Sequence, residues 1–296
     1  MKRAVCLLVG AVMVLLLGSA LALGDVEVHF HETPPDDWNE RNLFRLTMFR
    51  TTYNDAMLLE CGGQTMIVDS GTKKWTKSLL RAYREKNLVD ENGNVHVDRI
   101  FISHPHDDHV GGAIRMVENG LTADEYLTNI PRNFKDDLHR KAIKTMEKHQ
   151  IPIHFLEQNE ILTMGDAELR VFWYSGYKDL NQASAIIHVR FGDATLLLTG
   201  DAVNAAQRGL LREWPVEYLR SDVMKAPHHA INACEKAFLE AVNPKLVFAS
   251  AQRDQISETV NQMKTHGIPL VCHTLGRIVL ETDGTVWYVE QYRDTF

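Results

Sequence analysis

Ser103-His104-Pro105-His106-Asp107-Asp108-His109-Val110-Gly111-Gly112 packs three histidines and two aspartates into the six positions 104–109. No packing rule asks for that density, whereas imidazole nitrogens and carboxylate oxygens are the ligands that zinc, iron or manganese take at about 2.0–2.2 Å. Just upstream, Arg99-Ile100-Phe101-Ile102 is apolar and β-branched enough to predict a buried strand. His104 therefore stands at a strand's carboxyl end, where open α/β sheets keep their chemistry. Just downstream, Gly111-Gly112 opens a segment, Ala113 to Asn119, that reads as a short helix. His104 and His106 then point the same way from an extended stretch of period two, and Asp108 and His109 sit on the turn between strand and helix. Four donors converge on one small volume. The apolar flanks and the glycine pair argue against a solvated polar loop.

The same pattern of apolar strand followed by polar turn recurs three times. Thr65-Met66-Ile67-Val68-Asp69-Ser70-Gly71 precedes the run, and Ala194-Thr195-Leu196-Leu197-Leu198-Thr199-Gly200-Asp201 and Asp222-Val223-Met224-Lys225-Ala226-Pro227-His228-His229-Ala230 follow it. In this order the segments resemble the metallo-β-lactamase-fold hydrolases, whose mark His-x-His-x-Asp-His is matched by His104, His106, Asp108 and His109. The first of the three resembles the family's early strand ending in an Asp-x-Gly turn, and the second the strand that delivers a bridging aspartate. The third resembles the Lys-x-x-His-His-Gly ending of one branch, that of competence-type DNA-uptake metallo-hydrolase domains and secreted phosphorylcholine esterases. The likeness runs from about residue 26 to the end of the chain.

The resemblance implies two divalent metal ions, zinc or else manganese. His104 and His106 would hold one, Asp108 and His109 the other, and Asp201 would bridge them. The last ligand comes from the His228-His229 pair. His229 is the better fit because Ala230 supplies the small residue that follows the family's ligand, which leaves His228 to hydrogen-bond substrate or protonate the leaving group. Asp108 and His228 are thus the candidate catalytic residues. Two cations roughly 3.5–4 Å apart activate a shared water, so a hydroxide attacks while the metals stabilise the developing charge. Asp69 either orients a ligand histidine or is a plain turn residue. Lys225 either meets a substrate oxyanion or serves a structural pair. The family's full first site adds a histidine that Ser175 to Ser184 does not contain, and Asn181 and Ser184 resemble the Asn and Ser of the DNA-uptake branch there. The first metal would therefore have fewer protein ligands and exchange more readily. The remaining histidines read as surface or packed residues.

Met1-Lys2-Arg3, an apolar stretch from Ala4 to Leu17 and the small residues Gly18-Ser19-Ala20-Leu21-Ala22 have the layout of a secretory signal peptide. Cleavage is expected after Ala22 or after Gly24, giving a secreted domain over residues 25–296 with no stable membrane anchor. Losing two basic and no acidic residues takes the net charge from −7 to −9. A protein gripping long nucleic acid shows a basic face. The densest basic stretch, Lys135 to Lys148, is interleaved with acids, so there is no strong nucleic-acid signature. A small or short phosphoester remains compatible, because the ions themselves supply positive charge. Cys61, Cys234 and Cys272 would remain, and buried free thiols are expected in preference to one disulfide.

Strands are predicted on both sides of the site, in two sets with helices on both outer sides. That pattern, with no Pro-, Gly- or Ser-rich linker, gives a single α/β domain, the four-layer αββα sandwich that the resemblance implies. Asp124 to Gln150 reads as a helical insertion over the site's edge. The function expected is an exported metal-dependent hydrolase of a phosphoester or phosphodiester. Hydrolysis of a lactone, amide or β-lactam, and metal binding without catalysis, are the alternatives.

Overall fold

Strands that alternate Leu, Ile, Val and Phe with hardly a polar break must be covered on both faces, and the chain meets that demand by stacking two sheets. The computed structural model describes residues 26–293. The first half runs β1 (Glu27–Phe30), β2 (Phe44–Met48), β3 (Ala56–Cys61), β4 (Gln64–Ser70), α1 (Thr76–Glu85), β5 (His96–Ile102), α2 (Asp107–Val117), β6 (Thr122–Thr128), α3 (Asp137–Lys148) and β7 (Ile153–Phe155). The second runs β8 (Glu160–Met164), β9 (Ala167–Phe172), β10 (Ile186–Phe191), β11 (Ala194–Leu198), α4 (Asn204–Glu213), β12 (Val223–Lys225), α5 (Lys236–Val242), β13 (Leu246–Ala249), α6 (Ser257–His266) and β14 (Leu270–Cys272), and the hairpin β15 (Ile278–Thr282) and β16 (Val286–Gln291) closes the chain.

One sheet has the order β1-β16-β15-β2-β3-β4-β5-β6-β7, the other β14-β13-β12-β11-β10-β9-β8. Side-chain alternation separates three cores. Leu46, Met57, Leu59, Val68 and Phe101 meet Leu169, Val171, Ile187, Leu196 and Phe248 between the sheets. Leu58, Ile67, Ile100 and Ile102, on the opposite face of the first sheet, pack on Leu79 and Tyr83 of α1, Val110 and Ile114 of α2 and Ile143 and Met146 of α3. Ile186, Leu197 and Val247 pack on Leu210, Phe238 and Met263 of α4, α5 and α6. The architecture is the expected αββα sandwich, and each fully buried Leu or Phe contributes about 1.5–3 kcal/mol.

β4, β5, β6 and β7 are parallel, as are β11, β12, β13 and β14. Their carboxyl ends gather on one edge of the sandwich, and the turns at the opposite edge fasten the two sheets together. There Gly284, in the β15–β16 turn, accepts from Asp193 N at 2.8 Å and Ala194 N at 3.1 Å, in the β10–β11 turn. A Cβ on Gly192 would lie 2.8 Å from the Gly284 oxygen, so only glycine permits this approach.

Several expectations are corrected. The insertion expected over Asp124 to Gln150 is instead β6, parallel to β5, followed by α3 in the outer helical layer. The acidic start of β6 hid it, because Glu125 faces Arg99 of β5 at 2.9 Å and only Tyr126 to Thr128 is buried. Ile153–Phe155 pairs with β6 and ends the first sheet. β8 and α6 were not anticipated; β8 exposes Ile161 and Thr163. The helix after the histidine run starts at Asp107, not Ala113. The signal-peptide reading lies outside the described residues, and among those no helix is long and apolar enough to cross a membrane. Cys61, Cys234 and Cys272 are buried and free.

Candidate metal centre

Every candidate residue lies at, or just beyond, the carboxyl end of a parallel strand or in the turn that enters β10. β5 ends at Ile102 and delivers Ser103 and His104, and His106 caps α2. Asp108 and His109 occupy the first turn of α2, not a free turn. Gly111 and Gly112 sit inside α2, where a Cβ on Gly112 would fall 2.0 Å from the Ser70 oxygen. With glycine there, the helix backbone hydrogen-bonds the end of β4, Gly112 N to Gly71 O at 2.6 Å. β11 delivers Asp201 from the second sheet, and β12 delivers Lys225 and the turn Pro227–Ala230.

Three donor groups result among the described residues, of which one, Asp55, Asp69 and His109, gathers around His109 Nδ1 behind the other two. Asp108, His109, Asp201 and His229 present one ligand atom each within 4.8 Å of one another, and His104, His106 and Asp201 do the same. Asp201 belongs to both. His229 Nε2 lies 3.1 Å from Asp108 and 3.4 Å from Asp201, His109 Nε2 is 3.3 Å from Asp201, and His104 Nε2 is 3.8 Å from it. His106 Nδ1 is 3.0 Å from His104 Nε2. The buried Nε2 atoms of His109 and His229 and Oδ1 of Asp201 have no hydrogen-bond partner. Buried polar atoms are rarely left so. Neutral imidazoles and carboxylates with orphaned atoms converging on one point fit divalent cations.

A profile of the metallo-β-lactamase superfamily matches residues 50–247, a span that takes in every one of these donors. The chain belongs to this superfamily. Among solved structures it is similar to CmlA, a diiron β-hydroxylase from Streptomyces venezuelae, at 14% identity and a TM-score of 0.52, covering 85% of this chain and 55% of that one. The chain thus spans about half the length of that protein. It is also similar to the metallo-β-lactamase fold protein YhfI from Bacillus subtilis, at 11% identity, a TM-score of 0.49 and coverage of 81% of this chain and all of that one. A diphosphatase from the PhnP family shares 16% identity, a TM-score of 0.48 and coverage of 81% and 98%. At such identities the likeness is one of fold. No curated protein sequence matches the chain.

Within this metallo-hydrolase fold the candidate ligand histidines are held from behind. Asp69, at the end of β4 with φ 53°, accepts from Ser103 N and Ser103 Oγ at 2.8 Å and lies 2.9 Å from His109 Nδ1. Its reading as a plain turn residue is set aside, since its carboxylate fixes the ring and hence its tautomer. His229 Nδ1 is 2.9 Å from Ser250 Oγ, which in turn donates to Asp55. His104 Nδ1 meets Ser184 Oγ at 3.3 Å, and the same hydroxyl accepts from Asp201 N at 3.0 Å. Ser184 thus ties the two sheets' donors together. Asn181 lies in the turn that enters β10, its amide oxygen buried without a partner.

Asp55 and Ser250 were missed from the sequence. Asp55 follows the polar Tyr53-Asn54 and carries no local pattern; its meaning comes from Lys225, with which it forms an ion pair. Lys225 is fully buried and also donates to Gly200 O at 2.8 Å. Between the two roles left open for it, the geometry is that of a structural pair and not of a substrate contact. Burial opposes charge on both partners, but Lys225 holds Asp55 well below the usual carboxylate range, and Asp55 and Asp201 raise Lys225.

Burial, reinforced by His109, lowers His104 well below the ordinary imidazole value, so its ring is neutral as a ligand requires. Burial likewise works against charge on His109 and His229, but Asp201 foremost outweighs it and raises both. In effect the carboxylates draw protons to the place where cations would sit. His228 is different, with its side chain 26% exposed and Nε2 4.0 Å from Asp201. His228, His229 and Ala230 all have positive φ, at 48°, 52° and 61°. Such a left-handed run in residues bearing a Cβ persists only where surrounding contacts enforce it. Among the described residues, the other histidines stay outside these groups. His139 and His188 are packed against backbone carbonyls, of Pro131 and Arg220 respectively.

Proposed function

We propose that this superfamily member is an exported hydrolase of phosphoesters or phosphodiesters that works with two divalent ions. The observation that carries the reading is the sharing of Asp201 between a four-donor and a three-donor group. Asp108, His109, Asp201 and His229 would hold one ion, and His104, His106 and Asp201 the other, less firmly. When bound, such ions supply Lewis acidity and positive charge at the scissile bond.

Charge favours an anionic ester. Lys225 cancels Asp55, leaving Asp69, Asp108 and Asp201 as three negative charges against the four of two divalent ions. The surplus is positive and enclosed, where charge acts most strongly. His228, partly exposed and carrying a buried Nδ1 without a partner, hydrogen-bonds the ester or delivers a proton to its leaving group. Asn181, in the turn that leads to Ser184, adds an amide whose buried oxygen has no partner. Ser184 stands behind His104, where the family's extra histidine is absent, and this favours the Lys-x-x-His-His branch over a β-lactamase. The export half of the proposal rests on the layout of residues 1–22 alone.

The test is turnover of bis(4-nitrophenyl) phosphate by metal-loaded protein, beside a lactone panel and a chromogenic cephalosporin on the same sample. Release of nitrophenol that chelator and Asp201→Ala both abolish is expected. Full activity in chelator, or hydrolysis of the carbonyl substrates alone, would overturn it.

A further inference from the structure

At the same edge of the sandwich as the candidate ligands, a cleft of about 640 Å³ is lined by Arg50, Thr51, Thr52, Trp75, Arg253 and Asp254, among others. Its walls are continuous with the supports of the ligands. Arg50 to Asp55 is the loop between β2 and β3, and Asp55 at its end lies 3.5 Å from His229 Nδ1. Thr51 Oγ1 donates to Asn54 O at 2.6 Å and lies 3.0 Å from Nε2 of the buried His273. On the other side, Arg253 follows Ser250, the residue that holds His229 Nδ1. Trp75 N donates to Thr72 O at 3.1 Å, just after the turn that ends β4, and Lys74 Nζ lies 5.2 Å from the indole centroid.

The charges in this cleft are not spent. Among the described residues, neither Arg50 nor Arg253 makes a side-chain hydrogen bond or ion pair, and Asp254 is the one acid of the lining. Most arginines elsewhere in the chain have a carboxylate partner, as Arg41, Arg45, Arg99 and Arg208 do. Two guanidiniums without partners among the described residues, with threonine hydroxyls in the same lining, match a carboxylate or phosphate. The metal-site charge acts on the scissile group, so these arginines act on a second one.

We infer that the cleft is a subsite for a second anionic group of the substrate, so that the ester carries a carboxylate or phosphate beyond the bond that is cut. This rests on the phosphoester reading above for the reaction, but not for the binding. Arg50 and Arg253 set specificity and touch no reacting atom.

The experiment compares phenyl 4-nitrophenyl phosphate with its 4-carboxyphenyl and 4-phosphonophenyl counterparts, which share one leaving group. In the metal-loaded wild type the anionic esters are expected to have the higher kcat/KM, and whichever of the two leads identifies the anion. Arg50→Gln and Arg253→Gln each lower that preference roughly tenfold, the scale of one charge-assisted hydrogen bond. In parallel, benzoate is titrated while Trp75 fluorescence is read, with Trp75→Phe to identify the signal; the same variants weaken binding by about the same factor. Turnover of all three esters with a preference indifferent to both arginines overturns the subsite and leaves the phosphoester reading standing. No turnover of any ester, with arginine-dependent benzoate binding, overturns the reaction and supports the subsite. Benzoate binding unaffected in both variants, without turnover, overturns both. Unchanged unfolding midpoints exclude misfolding of the variants.

Discussion

Lys225 Nζ and the Asp55 carboxylate form an ion pair in which neither side chain is exposed, directly behind the shared aspartate and His229. Taking two charges out of water costs several kcal/mol each, and only the mutual attraction and extra hydrogen bonds offset it. Removing one partner therefore strands the other. Lys225→Met is expected to lower unfolding free energy by about 3–5 kcal/mol, read from urea melts. Adding Asp55→Asn in the same chain restores most of it. Equal losses in the single and double variants would show that the pair is not coupled.

Metal content distinguishes the two donor groups. Asp201→Ala removes an oxygen from both, whereas His106→Ala touches one. Elemental analysis after dialysis is expected to find two ions in the wild type, fewer than one in Asp201→Ala and about one in His106→Ala. In a chelator titration of the wild type, the ion lost first is the one that His106→Ala lacks.

Gly112→Ala changes no ligand, yet its Cβ would meet the Ser70 oxygen at 2.0 Å. α2 must move off the end of β4 and carry Asp108 and His109 with it. Overpacking of this kind costs about 1–3 kcal/mol. Weaker metal retention with all ligands present is the expected outcome, and retention equal to wild type would mean the helix yields without moving its first turn.

His188 gives a pH signature away from the centre. Burial, with Arg170 and Arg190 nearby, pushes its imidazolium down to about 4, despite the Arg220 carbonyl at 3.1 Å and Glu168. Unfolded, the ring titrates near 6.5, so the unfolded chain binds the proton more tightly. Stability from this group is complete above about pH 6.5 and declines as pH falls towards 4, by about 3 kcal/mol in all. His188→Gln is expected to flatten the stability curve over that window relative to the wild type. Parallel curves for the two proteins would refute it.

Ala230 sits at φ 61°, a conformation that costs a residue with a Cβ about 1–2 kcal/mol. Ala230→Gly removes that cost at the expense of some chain entropy. A gain of about 1 kcal/mol in thermal or urea unfolding is expected, with His229 and its metal retained.

Much of this was legible in the sequence for physical reasons that can be named. Strands covered on both faces read as unbroken apolar runs, which is why β4, β5 and β11 stand out in the sequence, whereas β8, half exposed, and β6, acidic at its start, do not. The histidine run carried its own chemistry within six positions. Asp201 and His229 were readable through the resemblance, and their convergence came with the fold. Asp55 and Ser250 were not, because each is an ordinary residue until the fold brings it to Lys225 or His229. The glycine pair reads as a turn in the sequence, whereas within α2 the missing Cβ of Gly112 permits the close approach to Ser70.

The turn contact of Gly192 with Gly284 joins the sheets at the edge away from the metal centre, so each sheet acts as an arm of a pair of tongs. The strand part of that arm, Ala194–Leu198, is about 13 Å long at about 3.3 Å per residue, and three further residues lead to Asp201. A tilt of a few degrees at the clasp would displace Asp201 relative to His104 and His109 by roughly 1 Å, the scale at which misplaced groups lose catalytic effect. The spacing between donors from different sheets is thus held at both ends, by two glycines at the far edge and by the Ser184 and Asp55 bonds beside the donors.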